Sequence, residues 1–239
     1  MKRCTRIALF MLVTLFAALL PAVAATGADL KTVISTLEQG YTLLSDLQAD
    51  FSQRTTIASI KREERGSGEL FIRKPGTGSA MFRFNYVKPR QQIISNGKKV
   101  WYYLPENRQV MVTDTATMFS GGNSVALNYL TGMGHVSRDF TISFAGNGRD
   151  RKGNYVLELV PKKPNRLMAR LQLTISAAAV DAFRDTGKAH EPFPIISSLL
   201  VDTAGNRTAI DFSNVKTNRG MGTERFTFKT PAGVEVIKQ

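Results

Sequence analysis

GELFIRKPGTGSAMFRFNYVKPRQQIISNGKKVWYYLPENRQVMV occupies positions 68–112, and its alternation decides the fold. Phe82, Phe84 and Tyr86 fall on one face of a strand, Arg83 and Asn85 on the other, because successive side chains in a strand point to opposite sides. Leu70 and Ile72 alternate in the same way, and Lys74 is the one cation that shares their face. Asn96-Gly97 reads as a tight hairpin turn, because both residues tolerate positive φ. The aromatic run Trp101-Tyr102-Tyr103 follows. An aromatic-lined sheet with a lone cation at its rim suits a concave site for an apolar guest. A filled barrel core would use the same apolar residues, and Lys74 inclines the reading to the concave site. An inward lysine at a strand end must find carbonyls or a carboxylate, or stay near water. The carbonyls at the end of a helix lying over the mouth would serve.

Outward from this stretch the pattern repeats. Asp29 is placed to cap a helix whose apolar residues Leu30, Val33, Ile34, Leu37, Tyr41 and Leu44 recur at helical spacing. Gly40 weakens its middle and is a candidate early end. From Leu47 the period changes to two, giving a first strand to about Thr56. The charge run 61–65 reads as a solvated turn. Further strands are expected near 67–73, 80–87, 91–95, 98–104, 108–113, 139–145, 154–160, 169–176, 194–202, 206–216 and 225–229. Between them, Ser124 is a cap for a short helix carrying Val125, Leu127 and Leu130; glycines bracket it, and it suits either core packing or a lid. Residues 177–192 read as an excursion. A dozen strands on short turns predict a mainly β fold, an antiparallel sheet curling toward a barrel, with residues 25–239 as one domain.

The first 24 residues read as a signal peptide. Lys2, Arg3 and Arg6 precede the apolar run Ile7–Leu20, and Ala22-Val23-Ala24 offers the cleavage site. Cys4 lies before the apolar run, the wrong place for a lipid-modified cysteine. It is the single cysteine of the chain, so cleavage after Ala24 excludes disulfides and thiol chemistry from the mature protein. The formal charge is +13; the leader holds three of the cations and no anion, leaving +10. Export argues against nucleic acid as the partner, and the cations are scattered as on a solvated surface. No Gly-x-Ser-x-Gly elbow, phosphate-cradling loop or dinucleotide fingerprint is present. His135 and His190 lack neighbours at metal-binding spacing. These features predict no enzyme, no cofactor and no metal.

Four ordered motifs resemble those of the LolA-type outer-membrane lipoprotein carriers. They are Leu47-Gln-Ala-Asp-Phe51-Ser-Gln53, then Gly68-Glu-Leu-Phe-Ile-Arg-Lys-Pro75 followed by Phe82-Arg-Phe84, then Ile94-Ser-Asn-Gly-Lys-Lys-Val-Trp101-Tyr-Tyr-Leu-Pro105, and Phe226-Thr-Phe228-Lys-Thr-Pro231-Ala-Gly233-Val-Glu-Val236. The resemblance implies a half-closed antiparallel β-barrel with a helical lid and an apolar cavity between them. It implies a monomeric periplasmic chaperone that takes a lipoprotein's acyl chains from an inner-membrane ABC transporter and hands them to an outer-membrane acceptor. The cavity is expected to be lined by Val33, Leu37, Phe51, Leu70, Ile72, Phe82, Phe84, Tyr86, Trp101, Tyr103, Val125, Leu127 and Leu130, with Lys74 as the lid latch and Arg73 as the less favoured alternative. Three departures stand out. The family's rim arginine aligns with Lys74, its tryptophan with Phe84, and residues 177–192 look inserted. The rival readings are a lipid- or lipoprotein-sensing module of an envelope-stress regulator and a carrier of a different lipid.

Overall fold

The computed structural model describes residues 27–76, 79–115, 135–163 and 168–238. The leader, and the expected helix with Val125, Leu127 and Leu130, lie outside these residues. Helix α1 spans Leu30–Leu43, and the Asp29 carboxylate caps it by accepting from Thr32 N at 2.7 Å. Gly40 does not end it. A Cβ there would lie 2.6 Å from the Glu191 carbonyl oxygen, so the missing side chain lets the segment before Pro192 pack directly on the helix.

Twelve strands follow: β1 (Asp46–Ile57), β2 (Arg62–Arg73), β3 (Met81–Lys88), β4 (Gln91–Ser95), β5 (Lys99–Leu104), β6 (Gln109–Asp114), β7 (Phe140–Arg149), β8 (Tyr155–Pro161), β9 (Arg170–Ile175), β10 (Ile195–Val201), β11 (Arg207–Thr217) and β12 (Glu235–Lys238). They form one sheet in the order β12-β6-β5-β4-β3-β2-β1-β11-β10-β9-β8-β7. All pairings are antiparallel except β12 with β6. Among the described residues β7 and β12 remain separate edges, so the sheet curls without closing. The fold is the mainly β, curled sheet that the alternation predicts, and it is half-closed as the family resemblance implies.

Three local expectations are corrected. Residues 62–65 are the first part of β2, paired with Arg54–Ile57; the turn lies at 58–61. Their charges sit on exposed strand surface, in the pairs Arg62–Glu64 and Arg65–Glu63. Residues 225–229 are not a strand: Thr223–Phe226 is a 3₁₀ turn, and the last strand comes at 235–238, after Pro231. The excursion at 177–192 contains helix α3 (Ala177–Thr186), capped by Ser176 Oγ accepting from Ala179 N and ended by Gly187 at φ +69°. It packs on α1, and its Ala179 and Val180 are buried. The short helix α2 (Val136–Asp139) leads into β7.

One apolar cluster fills the concave side. Leu47, Phe51, Leu70, Ile72, Phe82 and Phe84 come from β1–β3, and Leu157, Leu159, Leu171, Leu173 and Ile175 from β8 and β9. The helices add Val33, Leu37, Tyr41 and Val180. Fully burying each aliphatic side chain contributes about 1.5–3 kcal/mol, so α1 is held mainly by its apolar stripe.

The candidate apolar site on the concave face

Register fixes which side chains meet. Ile72 lies opposite Leu47 and Phe82, and Leu70 opposite Ala49 and Phe84. Phe51 sits edge-on to Phe84 and Tyr86, with centroids 5.7 and 4.8 Å away. Of the expected lining residues that are described, Val33, Leu37, Phe51, Leu70, Ile72, Phe82 and Phe84 are buried together, and Tyr86 is half-buried against them.

Trp101 and Tyr103 are elsewhere. The turn lies one residue later than expected, at Gly97-Lys98, with Gly97 at positive φ (+86°) and Asn96 N donating to Lys99 O at 3.2 Å; it pairs Ser95 with Val100, Ile94 with Trp101 and Ile93 with Tyr102. Ser95 and Ile93 oppose Phe82 and Phe84, so Val100 and Tyr102 share the concave face. Trp101 and Tyr103 point to the convex side and pack on Phe228, with centroids 6.2 and 5.3 Å away. The signal that places them was in the hairpin itself. A two-residue turn fixes the parity of both strands, and carrying it through assigns Tyr102 to the inner face.

Lys74 follows β2. Its Nζ donates to the Tyr41 carbonyl oxygen at 2.5 Å, and its N–H donates to Ser45 O at 2.8 Å. Tyr41 lies in the last turn of α1, and its carbonyl oxygen also accepts from the C-cap Leu44 N at 3.3 Å. Burial pulls the Lys74 ammonium below the ordinary lysine range. Asn218, at φ +57°, is the second clamp: its Nδ2 donates to Leu43 O at 2.9 Å, and its Oδ1 accepts from Ser45 N at 2.8 Å. Sequence reading missed Asn218 because it lies some 175 positions from its partner in the chain. Arg73 belongs to the other face, with Phe71, as strand parity requires. Elsewhere Ala28 N donates to Tyr155 Oη at 2.7 Å, and Glu38 Oε1 accepts from Ser137 N and Oγ at 2.9 and 2.6 Å. The helix and its flanks are thus tied to β8, to α2 and to the segments that follow β2 and β11.

Along the inner face the chemistry changes. Phe84 is followed on β3 by Tyr86, Phe51 on β1 by Gln53 and Thr55, and Ile93 on β4 is preceded by Gln91. Tyr86 Oη donates to Gln53 Oε1 at 2.9 Å, and Tyr102 Oη to Gln91 Oε1 at 2.8 Å. Burial, with a smaller contribution from the neighbouring Tyr102, pushes the Tyr86 phenol up to about 12. It is neutral at any physiological pH.

A curled, open sheet with an apolar concave face under helices α1 and α3 defines the open-barrel class of fold. The chain belongs to the outer membrane lipoprotein carrier protein LolA family, whose family model matches residues 42–186. That match runs to Thr186, the last residue of α3. An outer-membrane lipoprotein carrier protein of Pseudomonas paraeruginosa is 29% identical over 237 residues, covering 95% of this chain and 98% of the relative. One from Chromobacterium violaceum is 31% identical over 218 residues, covering 91% and 89%. Among solved structures, an uncharacterized conserved protein from Thermus thermophilus superposes with a TM-score of 0.49 at 13% identity, over 87% of this chain and 98% of that one.

Proposed function

We propose that this protein is a periplasmic lipoprotein carrier that shelters the acyl chains of its cargo on the concave face. The observation that carries the reading is the apolar inner face under α1 and α3, in a chain of the lipoprotein carrier family. Cleavage after Ala24 delivers the mature chain to the periplasm. There it takes lipoproteins from an inner-membrane ABC transporter and passes them to an outer-membrane acceptor, without covalent chemistry. Transfer runs on differences in affinity along the route, so the carrier must hold its cargo firmly yet release it.

Lys74 is the latch in this reading. A hydrogen bond from a charged donor contributes about 1.5–3 kcal/mol when buried, and less at a half-exposed position such as this one. That is small beside the apolar contacts of α1. The latch therefore governs the C-terminal turn of the helix rather than its whole attachment. Arg73, on the opposite face, takes no part.

The test is release of a tagged lipoprotein from inner-membrane vesicles that hold an authentic transporter. The mature protein should bring the lipoprotein into the soluble fraction, and Lys74→Leu should change hand-over to the acceptor while leaving the fold intact. Absence of release would contradict the carrier reading; normal transfer by the variant would remove Lys74 from the mechanism.

A further inference from the structure

Resting on the carrier reading, we infer that the Tyr–Gln band at the far end of the concave face recognises the acyl carbonyls of the cargo, its ester and amide linkages. On β1, β3 and β11 the inner residues nearest the Lys74 end are apolar, and those further along include neutral polar side chains. On β1 the series is Leu47, Phe51, Gln53, Thr55; on β3 it is Phe82, Phe84, Tyr86; on β11 it runs backwards from Phe212 through Ile210 to Thr208. The polar members join across strands. Tyr86 Oη donates to Gln53 Oε1 (2.9 Å), Gln53 Nε2 to Thr55 Oγ1 (3.2 Å), and Thr55 Oγ1 shares a hydrogen bond with Thr208 Oγ1 (3.2 Å). Tyr102 and Gln91 extend the band to β5 and β4.

All six side chains are half-buried and none is charged. Such groups are costly to place beside hydrocarbon unless they stay hydrogen-bonded, and here they bond one another. Both phenol protons go to amide oxygens, which orients the amide N–H groups of Gln53 and Gln91 away from those oxygens. An acyl chain lying on Phe84 and Phe51 brings its carbonyl to this band. A carbonyl accepts from amide N–H groups and needs no counter-charge, whereas a phosphate head group would find no cation among these six residues.

The experiment uses the mature protein and three probes of equal chain length: a triacylated cysteine lipopeptide, its ether-linked analogue without acyl carbonyls, and a diacyl phospholipid. Wild type should bind the acyl lipopeptide about tenfold more tightly than the ether analogue, the worth of roughly one net hydrogen bond. In the double variant Gln53→Met, Gln91→Met this preference should fall to about twofold or less, with affinity for the ether analogue unchanged. Tyr102→Phe alone should reduce it partway, which keeps the test decisive if the double variant folds poorly. An unchanged preference, or equal loss for both lipopeptides, would overturn the inference and leave the band as plain wall. Phospholipid binding as tight as the lipopeptide's, with the same loss in the variant, would overturn lipoprotein as the source of the carbonyls. If wild type binds no probe, the carrier reading itself fails.

Discussion

The two faces of strands β2–β6 both carry aromatic side chains, yet they have different fates. On the convex face Phe71, Ile94 and Val110 are buried, and Phe226 of the C-terminal segment is buried with them. The Arg225 guanidinium lies over the Phe71 ring at 4.5 Å, and Arg83 Nη1 donates to Arg225 O at 3.1 Å. Phe228 covers Trp101 and Tyr103, and β12 adds a parallel strand beyond β6. The chain closes this face with its own tail. On the concave face Leu70, Ile72, Phe82 and Phe84 are buried under the helices, while Tyr86, Ile93, Tyr102 and Met111 further along stay half-buried. Aromatic content therefore does not distinguish a core from a binding face. The covering segment does, and in this protein it comes from more than a hundred residues away.

The largest expected effect lies on the sealed face. Phe226→Ala should lower unfolding stability by about 3–5 kcal/mol, read by thermal or urea denaturation, with lipopeptide affinity of the folded protein unchanged. A loss of affinity without loss of stability would make the convex face part of the site. At the helix that roofs the other face, Gly40→Ala pushes a methyl against the Glu191 carbonyl and should cost about 1–3 kcal/mol. It should also lower lipopeptide affinity, since the helix must move off its seat. Lys74→Leu should change stability by about 1 kcal/mol or less, with the effect appearing in cargo hand-over. A further effect appears only in alkali. The Tyr86 phenol is raised in the folded state, so its contribution to stability is complete below the ordinary tyrosine value of about 10. It is lost as pH rises through about 12. Tyr86→Phe should remove that component from the pH profile of the melting temperature.

Much of this contrast was legible in the sequence. Period-two alternation gave the inner residues of β1–β3, and Asp29 with its apolar repeat gave α1. The Lys74 contact with a helix end followed from the cost of leaving an ammonium buried and unpaired. Several of the failures depended on a partner distant in the chain. Trp101 and Tyr103 looked like cavity lining until the hairpin parity and Phe228 placed them outside. Phe226 and Phe228 alternate like a strand, but Phe226 is anchored in the convex cluster, and the backbone pairs with β6 only after Pro231. Residues 62–65 look like a turn because charges mark solvent, yet an exposed strand surface carries charges equally well. Helix α3 was hidden by its low apolar content, although Ser176 and Gly187 mark its two ends. The polar band was missed because glutamine and threonine are unremarkable singly; only the sheet order β3-β2-β1-β11 brings them together.

The central claim is that acyl chains occupy the concave face and leave the convex face alone. The chain has a single tryptophan, Trp101, on the convex side, which makes the claim directly measurable. A lipopeptide with brominated acyl chains should leave Trp101 fluorescence unquenched in the wild type. In a Trp101→Phe, Phe84→Trp variant, which moves the only indole to the inner face, the same lipopeptide should quench strongly. Quenching of Trp101 in the wild type, with none in the variant, would contradict the account.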